Sequence, residues 1–122
     1  MPFVRITVTP APSPAAQQRL ATGTTRLMAD VLGKKATLTS VLVETATAHW
    51  TIGGEPAPMA AHLEALVTTG TNSAEQKAAF LAQAMALLSA ELGVLPTATY
   101  VVVRDVPAED WGYGGLSQAA RR

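Results

Sequence analysis

Few side chains in this chain are of the types that perform nucleophilic or metal chemistry. The 122 residues include no cysteine, which excludes a thiolate nucleophile, a disulfide framework and a cysteine-ligated metal. The two histidines, His49 and His62, are not accompanied by a closely spaced group of acidic residues. We therefore expect no metal site and no metal cofactor.

The charges of the chain are balanced and dispersed. Nine Lys plus Arg oppose nine Asp plus Glu, and the basic pairs are limited to Lys34-Lys35 and Arg121-Arg122. This distribution gives no electrostatic basis for binding nucleic acid or an anionic membrane. The first residues lack a basic region followed by an apolar stretch, and no apolar run reaches the roughly 18 residues of a membrane span. We expect a soluble, cytoplasmic protein that binds neither nucleic acid nor membrane.

Hydrophobic patterning predicts two copies of a strand–helix–strand unit. The two predicted helices lie within residues 13–33 and 73–93. Each begins at a serine that can cap its N-terminus and ends at a glycine that can terminate it. Gln76 would complete a capping box with Ser73. Segments rich in β-branched residues predict the strands, at residues 3–9, 36–47, 62–69 and 97–106.

The two units are repeats of each other. Ser13 and Ser73 are 60 positions apart, whereas Trp50 and Trp111, each of which opens a Trp-x-x-Gly-Gly motif, are 61 apart. We expect one domain over residues 1–122, made of repeats at about 1–56 and 61–122. The Pro- and Ala-rich stretch 55–61 would join them.

A strand–helix–strand unit closes into a parallel strand pair through a right-handed crossover. Two units predict an α+β fold, β-α-β-β-α-β, with a four-stranded sheet and both helices on one face. Apolar residues fall on both faces of the strands, so we expect the open face to be buried against other subunits. The Gly-Gly pairs predict tight turns with positive φ rather than a nucleotide-binding loop. Trp50, Trp111 and Tyr113 are candidate interface anchors.

Together these features resemble the tautomerase superfamily, which has a MIF-like fold, and within it the fused relatives of 4-oxalocrotonate tautomerase. The resemblance rests on Met1-Pro2 opening directly into a strand, the Ser-capped helices that end in Gly, the two Trp-x-x-Gly-Gly motifs and the C-terminal Gly-Gly-Leu-Ser-Gln-Ala-Ala-Arg-Arg. It implies a homotrimer, no cofactor and a small-molecule substrate. It also implies removal of Met1, which makes Pro2 an N-terminal secondary amine.

Such a prolyl amine is a base held at the rigid start of a strand. An α-amino group has a pKa of about 7.7 to 8.0, and an apolar pocket would lower it toward neutrality, where a general base is effective. In the family, the aromatic residue beside the proline comes from the other repeat, which favours Trp111 over Trp50. Proline at the start of a strand is also ordinary, so Pro2 alone would not indicate catalysis.

His62 corresponds to Pro2 at the offset of the helices. As an internal residue it offers no terminal amine, so we expect one proline site per chain. Imidazole is a side-chain type that can serve as a general base, although a structural or solvated role is the more ordinary one for such a histidine.

The arginines that bind dicarboxylates in this family are missing. The family carries one before the helix cap and one on the second strand, the latter supplied by a neighbouring subunit. Here the first position holds Pro12 or Asn72, and the second holds Ser40 (or Thr39) or Tyr100. None of these offers a guanidinium fork, which favours a monoacid, an aromatic keto acid or an uncharged substrate.

Other cations could substitute. Arg104 lies four residues after Tyr100, on the same face of its strand. Arg5 on the first strand and Arg19 with Arg26 on the first helix are further candidates, although solvated or salt-bridged charges are the more ordinary role. The predicted site has Pro2 as the catalytic residue and Tyr100, Arg104, Trp111 and Asn72 as substrate-binding residues.

The resemblance implies a cofactor-independent enol–keto tautomerase acting on a small 2-oxo or 2-hydroxyenoic acid. The same amine could serve a related hydratase or decarboxylase. A catalytically impaired homologue, acting as an oligomeric binding or structural protein, is the alternative that the missing arginines would fit.

Overall fold

The computed structural model describes residues 2–121 as two repeats of a strand–helix–strand unit, each followed by a short hairpin. The elements are β1 (Phe3–Thr9), α1 (Pro14–Asp30), β2 (Ser40–Thr45), β3 (Thr51–Ile52), β4 (Glu55–Pro56), β5 (Ala60–Thr68), α2 (Ala74–Leu92), β6 (Tyr100–Val106), β7 (Gly112–Tyr113) and β8 (Leu116–Ser117).

The main sheet has the strand order β2-β1-β5-β6. Each repeat contributes one parallel pair, β1 with β2 and β5 with β6, and the repeats join through the antiparallel pair of β1 with β5. This arrangement confirms the duplicated α+β fold.

One face of the sheet packs against both helices. Alternate residues of the two central strands are buried there, among them Val4 and Ile6 of β1 and Leu63 of β5, each with no exposed surface. Phe80 of α2 is buried against the same cluster as Leu20 of α1. The helices therefore cover one face, as predicted, and the opposite face of the sheet is left without a covering layer among residues 2–121.

The helix ends follow their capping residues. The Ser13 hydroxyl accepts a hydrogen bond from the Ala16 amide at 3.1 Å. Ser73 and Gln76 form the complete capping box, which satisfies two otherwise unpaired amides. The α2 helix ends at Gly93, whose φ is 91°.

The second predicted strand, residues 36–47, is shorter in the structure. Residues Ala36–Leu38 form a single 3₁₀ turn, and β2 begins only at Ser40. The predicted linker 55–61 is also largely structured, because β4 takes its first two residues and β5 begins at Ala60. Both Gly-Gly pairs form the expected turns: Gly53 and Gly54 have φ of 62° and 83°, and Gly114 and Gly115 have 62° and 80°.

None of the helices within residues 2–121 combines the length and the apolar character that a bilayer crossing requires.

Candidate active site

Pro2 lies immediately before β1 and is buried. Its carbonyl oxygen accepts a hydrogen bond from the Ser40 amide at 3.3 Å, which ties the start of β1 to the start of β2. The predicted removal of Met1 concerns a residue outside the described range.

Two cavities open at this end of the sheet. The smaller, of about 330 Å³, is lined by residues 37–40 and by Tyr113, so it adjoins the Ser40 amide that holds Pro2. The larger, of about 430 Å³, shares Leu38 and Tyr113 with it and adds Lys34 and Lys35. The Pro2 end of the sheet therefore carries a polar pocket with two cationic side chains.

Lys34 is a candidate site residue that sequence reasoning missed. Its Nζ donates to the Thr71 hydroxyl at 2.8 Å, which holds the side chain across the pocket between α1 and α2. Burial lowers the pKa of Lys34 from 10.5, and the nearby Asp105 carboxylate opposes that change. The sequence feature that could have pointed to Lys34 is its position directly after Gly33, in the loop that follows α1.

Trp111 lies at the same end of the sheet as Pro2. Its indole Nε1 donates to the Thr68 hydroxyl at 3.2 Å, and Thr68 ends β5. Because β5 runs antiparallel to β1, with Leu66 opposite Phe3, the end of β5 adjoins the start of β1. The second repeat thus brings this aromatic residue to the Pro2 end, where Trp111 lines neither of the two cavities.

Asn72 braces the wall of the larger cavity. Its side-chain amide donates to the Leu32 carbonyl at 2.9 Å and to the Gln76 Oε1 at 3.1 Å. Leu32 and Gln76 line the larger cavity, whereas Asn72 does not. Both amide hydrogens are engaged in joining the end of α1 to the start of α2, so Asn72 positions the wall.

Tyr100 does not join the Pro2 end of its own chain. It is opposite His62, which in turn is opposite Thr7 of β1. Thr7 lies four positions after Phe3, or about 13 Å away at the rise of a strand. Tyr100 begins the edge strand β6 and is 64% exposed, so its side chain is available to a neighbouring chain.

Arg104 lies at the Pro2 end but on the face of the sheet opposite the helices. It is opposite Leu66, which is opposite Phe3, about 10 Å away across two strand spacings. Its Nη2 donates to the Glu64 carboxylate at 3.0 Å. The charge of Arg104 is thus partly neutralised within its own chain.

Two of the other candidate cations are also held by carboxylates. The Arg5 Nε lies 3.4 Å from the Glu44 Oε1, and the Arg19 Nε lies 2.8 Å from the Glu91 Oε1. Arg26 is exposed on α1 and lines neither cavity at the Pro2 end.

The strand register corrects the predicted correspondence between Pro2 and His62. Val4 is opposite Val41 in the first repeat, and Leu63 is opposite Val101 in the second, which makes Val4 and Leu63 equivalent. Two residues earlier, the equivalent of Pro2 is Ala61, which is buried on the helix side. One extra residue between β5 and α2 shifts the register, and His62 faces the opposite side of the sheet because strand side chains alternate.

Comparison with known proteins identifies the family of both repeats. The family model described as "Tautomerase enzyme" matches residues 2–57 and 65–121, one match for each repeat. No curated protein matches the chain in sequence.

Solved structures share the complete architecture. A wild-type fused 4-OT described as a symmetric trimer is 26% identical and superposes with a TM-score of 0.87, covering 98% of each chain. A native fused 4-OT is 27% identical, with a TM-score of 0.85 and 97% of each chain covered. A macrophage migration inhibitory factor-like protein from Entamoeba histolytica, at 17% identity and a TM-score of 0.80, covers 95% of this chain and 97% of its own and shares the fold.

Proposed function

Since the chain belongs to the tautomerase family, we propose that it is a cofactor-independent enol–keto tautomerase whose general acid/base is Pro2. Removal of Met1 frees the prolyl amine. The substrate is a small 2-oxo or 2-hydroxyenoic acid with a single carboxylate.

The observation that carries this proposal is the position of Pro2, which is buried and whose carbonyl is bonded by Ser40, a residue that lines the smaller of the two cavities. A ring nitrogen at the start of a strand has a fixed position, so little conformational entropy is lost when it meets the substrate. An amine shielded from water is easier to deprotonate, because desolvation disfavours the charged form.

The reaction needs only proton transfers. The neutral amine accepts the hydroxyl proton of the enol as the carbonyl forms, and the resulting ammonium returns a proton to the adjacent carbon. The products are the keto acid and the regenerated amine, so the atoms and charges balance without a cofactor.

Lys34 supplies the positive charge that the missing arginines would have provided. Its ammonium group lines the cavity beside the Pro2 end and suits one carboxylate as a point charge. A dicarboxylate would need a second cation, and Lys35 is the other cationic residue in the lining. Trp111 at the same end supplies an apolar surface that limits water.

The active assembly in this proposal is a homotrimer, as described for the fused 4-OT of similar structure. The exposed Tyr100 would then reach the Pro2 site of a neighbouring chain, because it lies too far from the Pro2 of its own. The open face of the sheet would be buried between the chains.

The decisive experiment is the ketonisation of phenylenolpyruvate, a monoacid enol, by wild type and by Pro2→Ala. Intact mass first establishes whether Met1 is absent. We expect wild-type activity that falls to background in Pro2→Ala and is retained in His62→Ala, the matched control for the alternative base. Equal rates in wild type and Pro2→Ala would refute the proline mechanism.

A catalytically impaired homologue is the second candidate, and one observation favours it. Arg104, the candidate substitute that shares a strand face with Tyr100, is held by Glu64. A retained Met1 together with background ketonisation would make this oligomeric binding or structural role the better assignment. If the protein is instead a hydratase or decarboxylase that uses the same amine, Pro2→Ala should abolish hydration or decarboxylation of its substrate.

A further inference from the structure

The internal repeat provides a second copy of the cavity architecture at the opposite end of the sheet. After α1, the chain turns at Gly33 with φ of 70° and continues to Lys34. After α2, it turns at Gly93 with φ of 91° and continues to Val94. The two loops are thus equivalent in sequence offset, and each contains a glycine with positive φ after its helix.

The hairpins that face these loops are equivalent as well. The Gln118 amide donates to the Trp111 carbonyl at 2.8 Å, and the Ala57 amide donates to the Trp50 carbonyl at 3.0 Å. Gln118 lines the larger cavity at the Pro2 end. Ala57 lines a cavity of about 410 Å³ at the other end, together with Val94 and Leu95. We call this second space the apolar cavity.

The chemistry of the two cavities is opposite. Four positions of the Pro2-end lining have a direct counterpart in the apolar cavity. Lys34, Lys35, Tyr113 and Gln118 are replaced by Val94, Leu95, Ile52 and Ala57. At these four positions the apolar cavity therefore has neither the two cations nor the two polar side chains of the Pro2-end cavity, although the two volumes are similar.

We propose that the apolar cavity binds an uncharged apolar molecule of about the size of two or three aromatic rings. The predominantly apolar lining selects this class of ligand. Glu55 is the one ionisable side chain in the lining, so an anion is repelled where the Pro2 end attracts one. The volume lies within the range of small-molecule sites, which are concave and mostly apolar.

The cavity is formed before a ligand arrives. Pro56, Pro58 and Pro96 line it, and each fixes its own backbone φ. Val94 at its rim is 96% exposed, so a bound apolar molecule would remove an isolated aliphatic side chain from water. Rigid walls lower the ordering cost of binding.

This proposal does not depend on the Pro2 reaction. The position equivalent to Pro2 in the second repeat is Ala61, which is internal and has no free amine. We expect binding without turnover at this end of the sheet, so loss of activity in Pro2→Ala leaves the proposal intact.

The test uses two fluorescent probes with the same rings and different charge. N-phenyl-1-naphthylamine is neutral, and 8-anilinonaphthalene-1-sulfonate is an anion. We expect saturable binding of the neutral probe to the wild-type protein and weaker binding of the sulfonate. Val94→Lys introduces the residue found at the equivalent position of the first repeat. It should lower the affinity for the neutral probe about tenfold, since binding would have to desolvate an ammonium group.

Ala90→Lys is the matched control, because it adds the same charge at an exposed position of α2 that lines neither cavity, and it should leave binding of the neutral probe unchanged. Val94 is almost fully exposed, so its replacement should not disturb folding, which circular dichroism checks. Equal affinity in wild type and Val94→Lys, or no saturable binding, would overturn the proposal. A change of molecular mass in Val94→Lys without probe binding would also overturn it, by indicating that a second copy of the chain fills the cavity.

Discussion

The guanidinium carbon of Arg121 lies 3.7 Å from the centroid of the Tyr113 ring. The same guanidinium donates a hydrogen bond to the Tyr113 carbonyl oxygen. Tyr113 lines both cavities at the Pro2 end. A residue at the end of the described chain therefore holds one wall of the candidate active site.

Replacing Arg121 should loosen that wall. We expect Arg121→Ala to lower kcat/KM for phenylenolpyruvate by about twofold to fivefold, since an exposed cation–π contact contributes about 0.5–1 kcal/mol. Arg121→Lys keeps the positive charge and should lose less activity than Arg121→Ala. Arg26→Ala, a control on the exposed side of α1, should retain full activity. Steady-state kinetics decide, and unchanged kcat/KM in Arg121→Ala would contradict the role.

Lys34 should bind the carboxylate of the substrate. Lys34→Gln is expected to raise KM about tenfold to a hundredfold, because a charge-assisted hydrogen bond contributes about 1.5–3 kcal/mol. The methyl ester of phenylenolpyruvate has no carboxylate and should show little change between wild type and variant. An equal loss on acid and ester would mean that Lys34 supports the structure instead.

The half-buried Lys34 should also make stability depend on pH. Burial lowers its pKa from 10.5, so the unfolded chain binds this proton more tightly than the folded chain does. The free energy of unfolding should therefore rise with pH between the folded-state pKa and 10.5. Urea denaturation should show wild type gaining stability relative to Lys34→Met across that window, and parallel pH curves would contradict this.

Tyr100 should act on the Pro2 of a neighbouring chain. Pro2→Ala and Tyr100→Ala chains, each impaired alone, should regain activity when they are co-expressed, because some sites then combine an intact Pro2 with an intact Tyr100. Random mixing restores about a quarter of the sites of a trimer in which each site spans two chains. Co-expressed chains that remain as inactive as the separate ones would assign Tyr100 to another role.

Local signals in the sequence determined much of the fold. The caps at Ser13 and Ser73 and the turns at the two Gly-Gly pairs depend on neighbouring residues only, and the structure has all of them. The predicted strand 36–47 was too long because β-branched residues are compatible with a 3₁₀ turn that leads into the first strand hydrogen bonds.

The candidate site depended on longer-range geometry. Lys34 reaches the Pro2 end because β2 returns beside β1, a relation that neither segment encodes alone. The equivalence of Ala61 and Pro2 required the pairing of β5 with β6, since one extra residue between β5 and α2 cannot be located by aligning the helices. Tyr100 and Pro2 share a site only if a second chain is present.

The joining of the two repeats by residues 57–59 has a consequence for stoichiometry. Because one polypeptide carries the Pro2 end and the apolar end, every assembly contains the two kinds of end in equal number, however strongly the protein is expressed. Two separately encoded repeats would have to find each other and could also assemble with themselves. Within a single chain, each end can change its side chains independently while the partnership between the ends stays fixed.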